Sequence, residues 1–202
     1  MQESAWKNAE VEALYRLAGA GVRVPKPHDA HEGVLLMELV VDAQGNPAPR
    51  LNEVTMTPEQ ARAWHAFMMT QIVRMLCAGL IHGDLSDFNV LVDASGPVII
   101  DLPQAVNAAS NNNAFAMLER DVNNMRATFA AAAPELLDTS YAHEIWGHYQ
   151  ASELTPETVL TGRFVHDLAT ADVGMVIDHI EAAREEAEAR QRGRELAAAG
   201  SA

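Results

Sequence analysis

Apolar positions follow two periods along this chain, and the changes between them lay out its elements. Over residues 4–18, Trp6, Val11, Leu14 and Leu17 recur at helical spacing, and the Gly19/Gly21 pair ends the run. Val24-Pro25-Lys26-Pro27 is extended, because each proline pushes its predecessor out of the helical region. Val34 to Val40 reads as a buried strand, and Asp42 to Asn52, with Gly45, Pro47 and Pro49, as a linker. Helical spacing returns after Thr57. That residue is the N-cap, Pro58 fills the first turn, and Gln60 closes a capping box. Trp64, Phe67, Met68, Ile72 and Met75 form one apolar face, which Gly79 terminates. Two short apolar runs, Asn89 to Val92 and Val98 to Asp101, flank the turn sequence Asp93-Ala94-Ser95-Gly96-Pro97 and predict a hairpin. From Ala114 onward the spacing is helical, with helices expected near 114–131, 140–150, 157–161 and 172–198. The last of these is alanine-rich and charged, without a core face.

Composition narrows the class. Of 202 residues, 49% are hydrophobic and 21% charged, which excludes a disordered acidic chain. The 14 basic and 28 acidic residues give a net charge of −14, spread evenly over both halves. No basic stripe exists for a phosphate backbone, so direct nucleic-acid binding is not expected. Cys77 is the only cysteine, which excludes an intrachain disulfide; between Leu76 and Ala78 it reads as a core residue. The opening MQESAWKNAE lacks a signal-peptide core, and the apolar run at Val34 to Val41 is too short for a bilayer. A cytoplasmic location without membrane association is expected.

The chemistry concentrates in His82-Gly83-Asp84-Leu85-Ser86-Asp87-Phe88-Asn89 and the later Ile99-Ile100-Asp101. In a hairpin, Asn89 at the entrance of the first strand lies beside Asp101 at the exit of the second. The loop carrying Asp84 leads into that same open end. One amide and two carboxylates thus converge, an oxygen set suited to Mg²⁺ with its waters and phosphates. A carboxylate not consumed by metal can accept a hydroxyl proton or orient water.

This pattern resembles the phosphotransfer site of the protein-kinase superfamily. The resemblance implies Asp84 as the catalytic base and Asn89 and Asp101 as Mg²⁺ ligands. It implies that Leu91 and Ile100 line the ATP pocket, that Met37 is the gate, and that backbone groups of Glu38 and Val40 face the adenine edge. Glu10 matches the helix glutamate that pairs with a phosphate-binding lysine. Ile99-Ile100-Asp101-Leu102-Pro103-Gln104, Asn113-Ala114, Arg120-Asp121-Val122-Asn123-Asn124 and the upstream Gly-Val-Arg-Val-Pro-Lys-Pro (residues 21–27) narrow the resemblance to the RIO kinases. Tyr141 to Phe164 looks like the bacterial members of that family. The fold implied is α+β and kinase-like. Residues 1–41 would be a partial N-lobe (helix and hinge strand), and 42–202 a mostly helical C-lobe. The function implied is that of a Ser/Thr protein kinase or ATPase using ATP and Mg²⁺. Turnover would be slow, with Asp101 as a transient phosphoacceptor. The protein substrate is not readable; eukaryotic and archaeal members of the family act in small-subunit ribosome assembly, which is the partner link the resemblance offers.

Gly83 stands where ordinary kinases carry an arginine, Ser86 where they carry a lysine, and Leu102-Pro103 where they carry Phe-Gly. The chain has two lysines, Lys7 on the first helix and Lys26 in the connector after it. Neither can be the lysine of a strand preceding that helix. Two explanations stand, a truncated polypeptide, which is favoured, and a variant that has lost its N-terminal strands; in both, activity of this chain alone is doubtful. Loss of those strands would expose the underside of Val34 to Val41 as an edge prone to aggregation. Ala133-Pro134-Glu135 reads as a helix start and not an activation-loop motif. His143 and His148, five residues apart on a helix, cannot share a metal. His82 is expected to brace the catalytic loop. Two other classes remain open: a small-molecule phosphotransferase of the aminoglycoside or choline kinase type, and a non-catalytic pseudokinase scaffold.

Overall fold

The computed structural model describes residues 2–31 and 34–164, with the side chains of the first helix described from Ala9 onward. The expected helix at 172–198 lies outside the described residues.

The described chain is a mixed α+β structure. Helix α1 (Gln2–Gly19) ends at a turn in which Gly21 takes φ +73°, a conformation that glycine adopts without steric cost. Its inner face, Ala13, Leu14 and Leu17, enters the main core. The extended connector feeds β1 (Pro27–His31), which pairs antiparallel with β2 (Val34–Met37). Helix α2 (Pro58–Cys77) starts as the sequence predicts. Thr57 Oγ1 accepts from the Gln60 amide at 3.2 Å, and Gln60 Oε1 accepts from the Thr57 amide at 3.0 Å. Its buried face, including Met68, Met69, Ile72, Met75 and Leu76, is the spine of the core.

After α2, β3 (Leu80–Ile81) precedes a loop and the hairpin of β4 (Val90–Asp93) and β5 (Gly96–Ile99). The register runs from Val90↔Ile99 to Asp93↔Gly96, closed by Ala94 and Ser95. Asp93 Oδ1 accepts the amides of Ser95 at 2.7 Å and Gly96 at 3.1 Å, so the turn holds itself. The hairpin is tied to the rest of the chain by backbone bonds from Ile99 N to Arg23 O and from Val92 N to Pro49 O. Strand β6 (Val106–Asn107) then pairs with β3. Helices α3 (Ala114–Ala130) and α4 (Tyr141–Gln150) pack behind the loop, with Leu118, Val122, Met125 and Phe129 of α3 and Ile145 of α4 buried.

Three expectations need correction. Strand β2 is not buried: Val34 is 69% and Leu36 60% exposed, as is Leu39 beyond it at 69%. Only Leu35 packs against the core. A two-stranded sheet has no further strand to cover that face, so apolar sequence alone misplaces it inside. Cys77 is exposed at the last position of α2, its Sγ 3.7 Å from the Leu154 carbonyl. Residues 157–161 form no helix. There Thr158 Oγ1 takes the amide of Thr155, while Thr161 donates its amide and hydroxyl to Glu144. Side-chain acceptors replace the helical ladder in that segment. Pro134–Asp138 is a single 3₁₀ turn, and His143 and His148 face different carboxylates, Glu119 and Glu153.

Candidate phosphotransfer site

The loop between β3 and β4 is fixed from both sides before it presents anything to solvent. His82 is buried; its Nε2 donates to the Ile100 carbonyl at 3.0 Å and its Nδ1 accepts the Asp84 amide at 3.3 Å. A neutral imidazole protonated on Nε2 satisfies both. His82 therefore braces the loop against the exit of β5. Asn89 is buried, and its Nδ2 donates to the Asp84 carbonyl at 2.9 Å and to Asp84 Oδ2 at 3.4 Å. Both amide hydrogens are spent on Asp84, which leaves Asn89 Oδ1 as an acceptor. Ile100 donates its amide to the Asn89 carbonyl at 3.0 Å, so the entrance of β4 and the exit of β5 are adjacent. Asp84 and Asp101 are both exposed. Asp101 holds φ +66°, a left-handed conformation rare for a side-chain-bearing residue and frequent where function requires it.

A narrow pocket of about 50 Å³ opens beside Asp101, lined among others by Glu10, Leu35, Met37, Ile100 and Leu102. It joins α1, β2 and the end of β5. Glu10, Met37, Ile100 and Asp101 are thus brought to one place. Val40 and Leu91 are not part of it. Val40 is buried with Ala48 and Val98, and Leu91 packs against that group. At the segment after β2, the Glu38 amide donates to Lys26 O at 2.8 Å and the Val40 carbonyl accepts from Ala48 N at 3.0 Å. Among the described residues this leaves the Glu38 carbonyl and the Val40 amide without a backbone hydrogen bond.

Helix α3 grips the loop from behind. Asp121 is 2% exposed, and its two oxygens accept the amides of Gly83 at 2.8 Å and Leu85 at 2.9 Å. Burial pushes its carboxyl above the ordinary value; the Leu85 and Gly83 hydrogen bonds and the charge of Arg120 oppose that rise. Asn124 Nδ2 donates to the Leu85 carbonyl at 2.9 Å, and Arg120 donates from Nη2 to the Gly83 carbonyl. From the side of the linker, Arg50 donates to the Phe88 carbonyl at 3.0 Å.

By donor type, the Asn89 amide oxygen and the Asp101 carboxylate are oxygens of the kind Mg²⁺ takes. Among the described residues no three Asp, Glu, His or Cys side chains converge. A cation here would take Asp101 and Asn89 Oδ1 from the protein and fill its other positions with water or phosphate oxygens, the usual habit of Mg²⁺.

Comparison with known proteins decides the family. The RIO domain family (RIO1) matches residues 1–142. The chain belongs to the RIO domain family. It is 39% identical over 125 residues to the RIO-type serine/threonine-protein kinase Rio1 of Haloferax volcanii, covering 62% of this chain and 42% of that protein. It is 30% identical over 159 residues to the serine/threonine-protein kinase RIO1 of Caenorhabditis elegans, covering 78% of this chain and 31% of the relative. With human RIO1 it shares 32% over 125 residues, 61% of this chain and 22% of the relative. The chain spans less than half the length of these curated relatives.

Within this RIO domain, Gly83 has a steric reason. It holds φ +81°, and a Cβ there would lie 2.7 Å from the Gln104 carbonyl oxygen and 2.6 Å from Met117 Cε. The loop and the segment after Asp101 approach too closely for any side chain. The roles of Arg120, Asp121 and Asn124 were not readable from their motif, although a buried acid between Leu118 and Val122 on an otherwise apolar face was a signal for one. Among the described residues, no helix is long and apolar enough to cross a membrane.

Proposed function

We propose that this RIO domain binds Mg·ATP and transfers its terminal phosphoryl group to a protein serine or threonine, or to water, through a kinase-like site. The observation that carries this reading is Asn89. Its amide donates to Asp84 in two hydrogen bonds, and its own carbonyl accepts the amide of Ile100, the residue before Asp101, which supports Oδ1 as a ligand atom beside Asp101.

In this reading Asp84, exposed and held through its neighbours' backbone, accepts the hydroxyl proton or orients a water. Asn89 and Asp101 hold Mg²⁺, which when bound neutralises charge on the phosphates. The Glu38 carbonyl and Val40 amide hydrogen-bond the adenine edge, Met37 and Ile100 flank the base, and Leu91 supports the floor from the Val40 side. Glu10 faces the pocket with Asp101 and would pair with a cation that holds the phosphates. Residues 1–41 act as the N-lobe part and the chain from residue 42 as the C-lobe.

With lysines only at Lys7 and Lys26, turnover by this chain is expected to be impaired, so the test is sensitive detection of ATP turnover and autophosphorylation by the purified chain, with Asp84→Asn alongside. Mg²⁺-dependent turnover that falls about 100-fold or more in the variant, with an unchanged melting temperature, is the expected result. Turnover equal in both would sink the role of Asp84. Transfer to an aminoglycoside or choline in preference to protein would reassign the substrate.

A further inference from the structure

Two arginines stand on opposite sides of the loop that carries Asp84. Arg120, on α3, donates to the Gly83 carbonyl, in the peptide that leads into Asp84. Arg50, just before the 3₁₀ turn Leu51–Glu53, donates to the Phe88 carbonyl, in the peptide that leads into Asn89. Both side chains belong to exposed residues, as does Asp84 between them. Each guanidinium carries five N–H donors and is seen to spend one on a neutral carbonyl.

Two other arginines are neutralised by carboxylates, while Arg74 and Arg126 also donate to carbonyls. Arg23 is paired with Asp93, and Arg62 with Glu59 and Glu135. Arg50 and Arg120 form no such ion pair among the described residues. Asp121 does feel the charge of Arg120, but its oxygens are taken by the Gly83 and Leu85 amides. What sets Arg50 and Arg120 apart is their place: in a chain of net charge −14, each holds a carbonyl at one end of the loop that carries Asp84.

We propose that Arg50 and Arg120 recognise anionic side chains on both sides of the acceptor hydroxyl, so that the substrate is an acidic peptide segment. The inference rests on the phosphotransfer reading of Asp84. Within that reading Asp101 is engaged by Mg²⁺, Asp84 must face the hydroxyl, and Asp87 is half-buried. The two guanidinium groups at the loop ends are then the cations nearest in the chain's hydrogen-bond network to the residue that faces the acceptor. Their planar forks match carboxylate or phosphate oxygens, whichever supplies the anion. A neutral segment gains nothing from them, and a basic one sets its cations against them.

The experiment measures binding by fluorescence anisotropy, in Mg·ADP, of labelled peptides with one serine flanked by Glu, Gln, Lys or phosphoserine. Expected is about tenfold tighter binding of the Glu peptide than the Gln peptide at low salt, largely lost at about 0.5 M salt. Arg50→Gln and Arg120→Gln should each reduce that ratio by about threefold, and the Lys replacements should retain part of it. A merely structural role would weaken all peptides alike and leave the ratio unchanged. Equal binding of Glu and Gln peptides, or a preference that survives both Gln variants, overturns the proposal. Phosphoserine binding tighter than Glu would identify phosphate as the favoured anion; parity would identify the carboxylate, and both support anion recognition. Binding needs no turnover, so Asp84→Asn should keep the preference. A chain that prefers acidic peptides yet shows no Asp84-dependent ATP turnover would overturn the phosphotransfer reading separately.

Discussion

The buried carboxylate of Asp121 holds the amide of Gly83 at 2.8 Å, and with its other oxygen that of Leu85 at 2.9 Å. Asp84 lies between those two amides, so the direction of its side chain is set from the interior of α3. Asp121→Ala would leave both amides buried and unpaired. Asp121→Asn would keep one acceptor and turn an NH₂ toward the other amide. The expected loss is about 2–4 kcal/mol of stability for alanine and less for asparagine. Urea unfolding of the two variants checks this; a loss under about 0.5 kcal/mol for alanine would mean that the bonds are not held in solution.

Gly83→Ala introduces a Cβ against the Gln104 carbonyl and forces a side-chain-bearing residue to φ +81°. Backbone on both sides leaves little room to yield. A destabilisation of about 2 kcal/mol or more is expected, together with loss of ATP turnover out of proportion to it. Melting curves and turnover of the one variant test both halves. Unchanged melting would show that the two segments separate easily.

Mg²⁺ dependence separates the two ligand candidates. Asp101→Asn removes a charge from an exposed position and should leave the fold intact while raising the Mg²⁺ needed for half-maximal ATP turnover about tenfold or more. Asn89→Ala also releases Asp84, so it should lower the maximal rate as well. A Mg²⁺ titration identical to that of the unaltered chain would remove Asp101 from the metal site.

Acid stability should report His65. It is 1% exposed, with the Phe129 and Tyr141 rings at 5.9 and 5.3 Å and no hydrogen bond to Nε2 among the described residues. Burial, then the positive charge of Arg126, lowers its pKa from 6.5 to about 4. As pH falls, the unfolded chain takes up the proton first. Stability present above pH 6.5 is therefore lost between 6.5 and about 4, by roughly 3 kcal/mol. Unfolding measured across that window should be steeper than in His65→Leu. Asp121, whose carboxyl is raised by burial, contributes the opposite slope.

The elements with strong local signals were legible. The Thr57–Gln60 cap, the hairpin around Ala94-Ser95 and helix α3 depend on nearest neighbours, and their residues state them. Exposure was less legible: Val34, Leu36 and Leu39 have strand-core composition, but their burial depends on how many strands share the sheet. Cys77 reads as core by its neighbours and falls outside because α2 ends there. Residues 157–161 have helical spacing, but Glu144, 17 residues from Thr161, claims the amide and hydroxyl of Thr161. The adjacency of Asp84, Asn89 and the strand exit at Ile100-Asp101 was legible, because a hairpin sets its entrance beside its exit. The site was not legible where support arrives from a distant helix, as with Asp121, Asn124 and Arg120.

Asp101 occupies backbone that glycine would adopt without strain, and it shares its pocket with a second carboxylate, Glu10. Replacing it with glycine should relieve a conformational penalty of about 1 kcal/mol. Selection for thermal robustness alone would therefore remove this residue first. A screen that enriches hardier variants should collect substitutions at position 101, and if Asp101 holds the metal as proposed these would lose turnover, which makes stability a misleading proxy for competence in this domain.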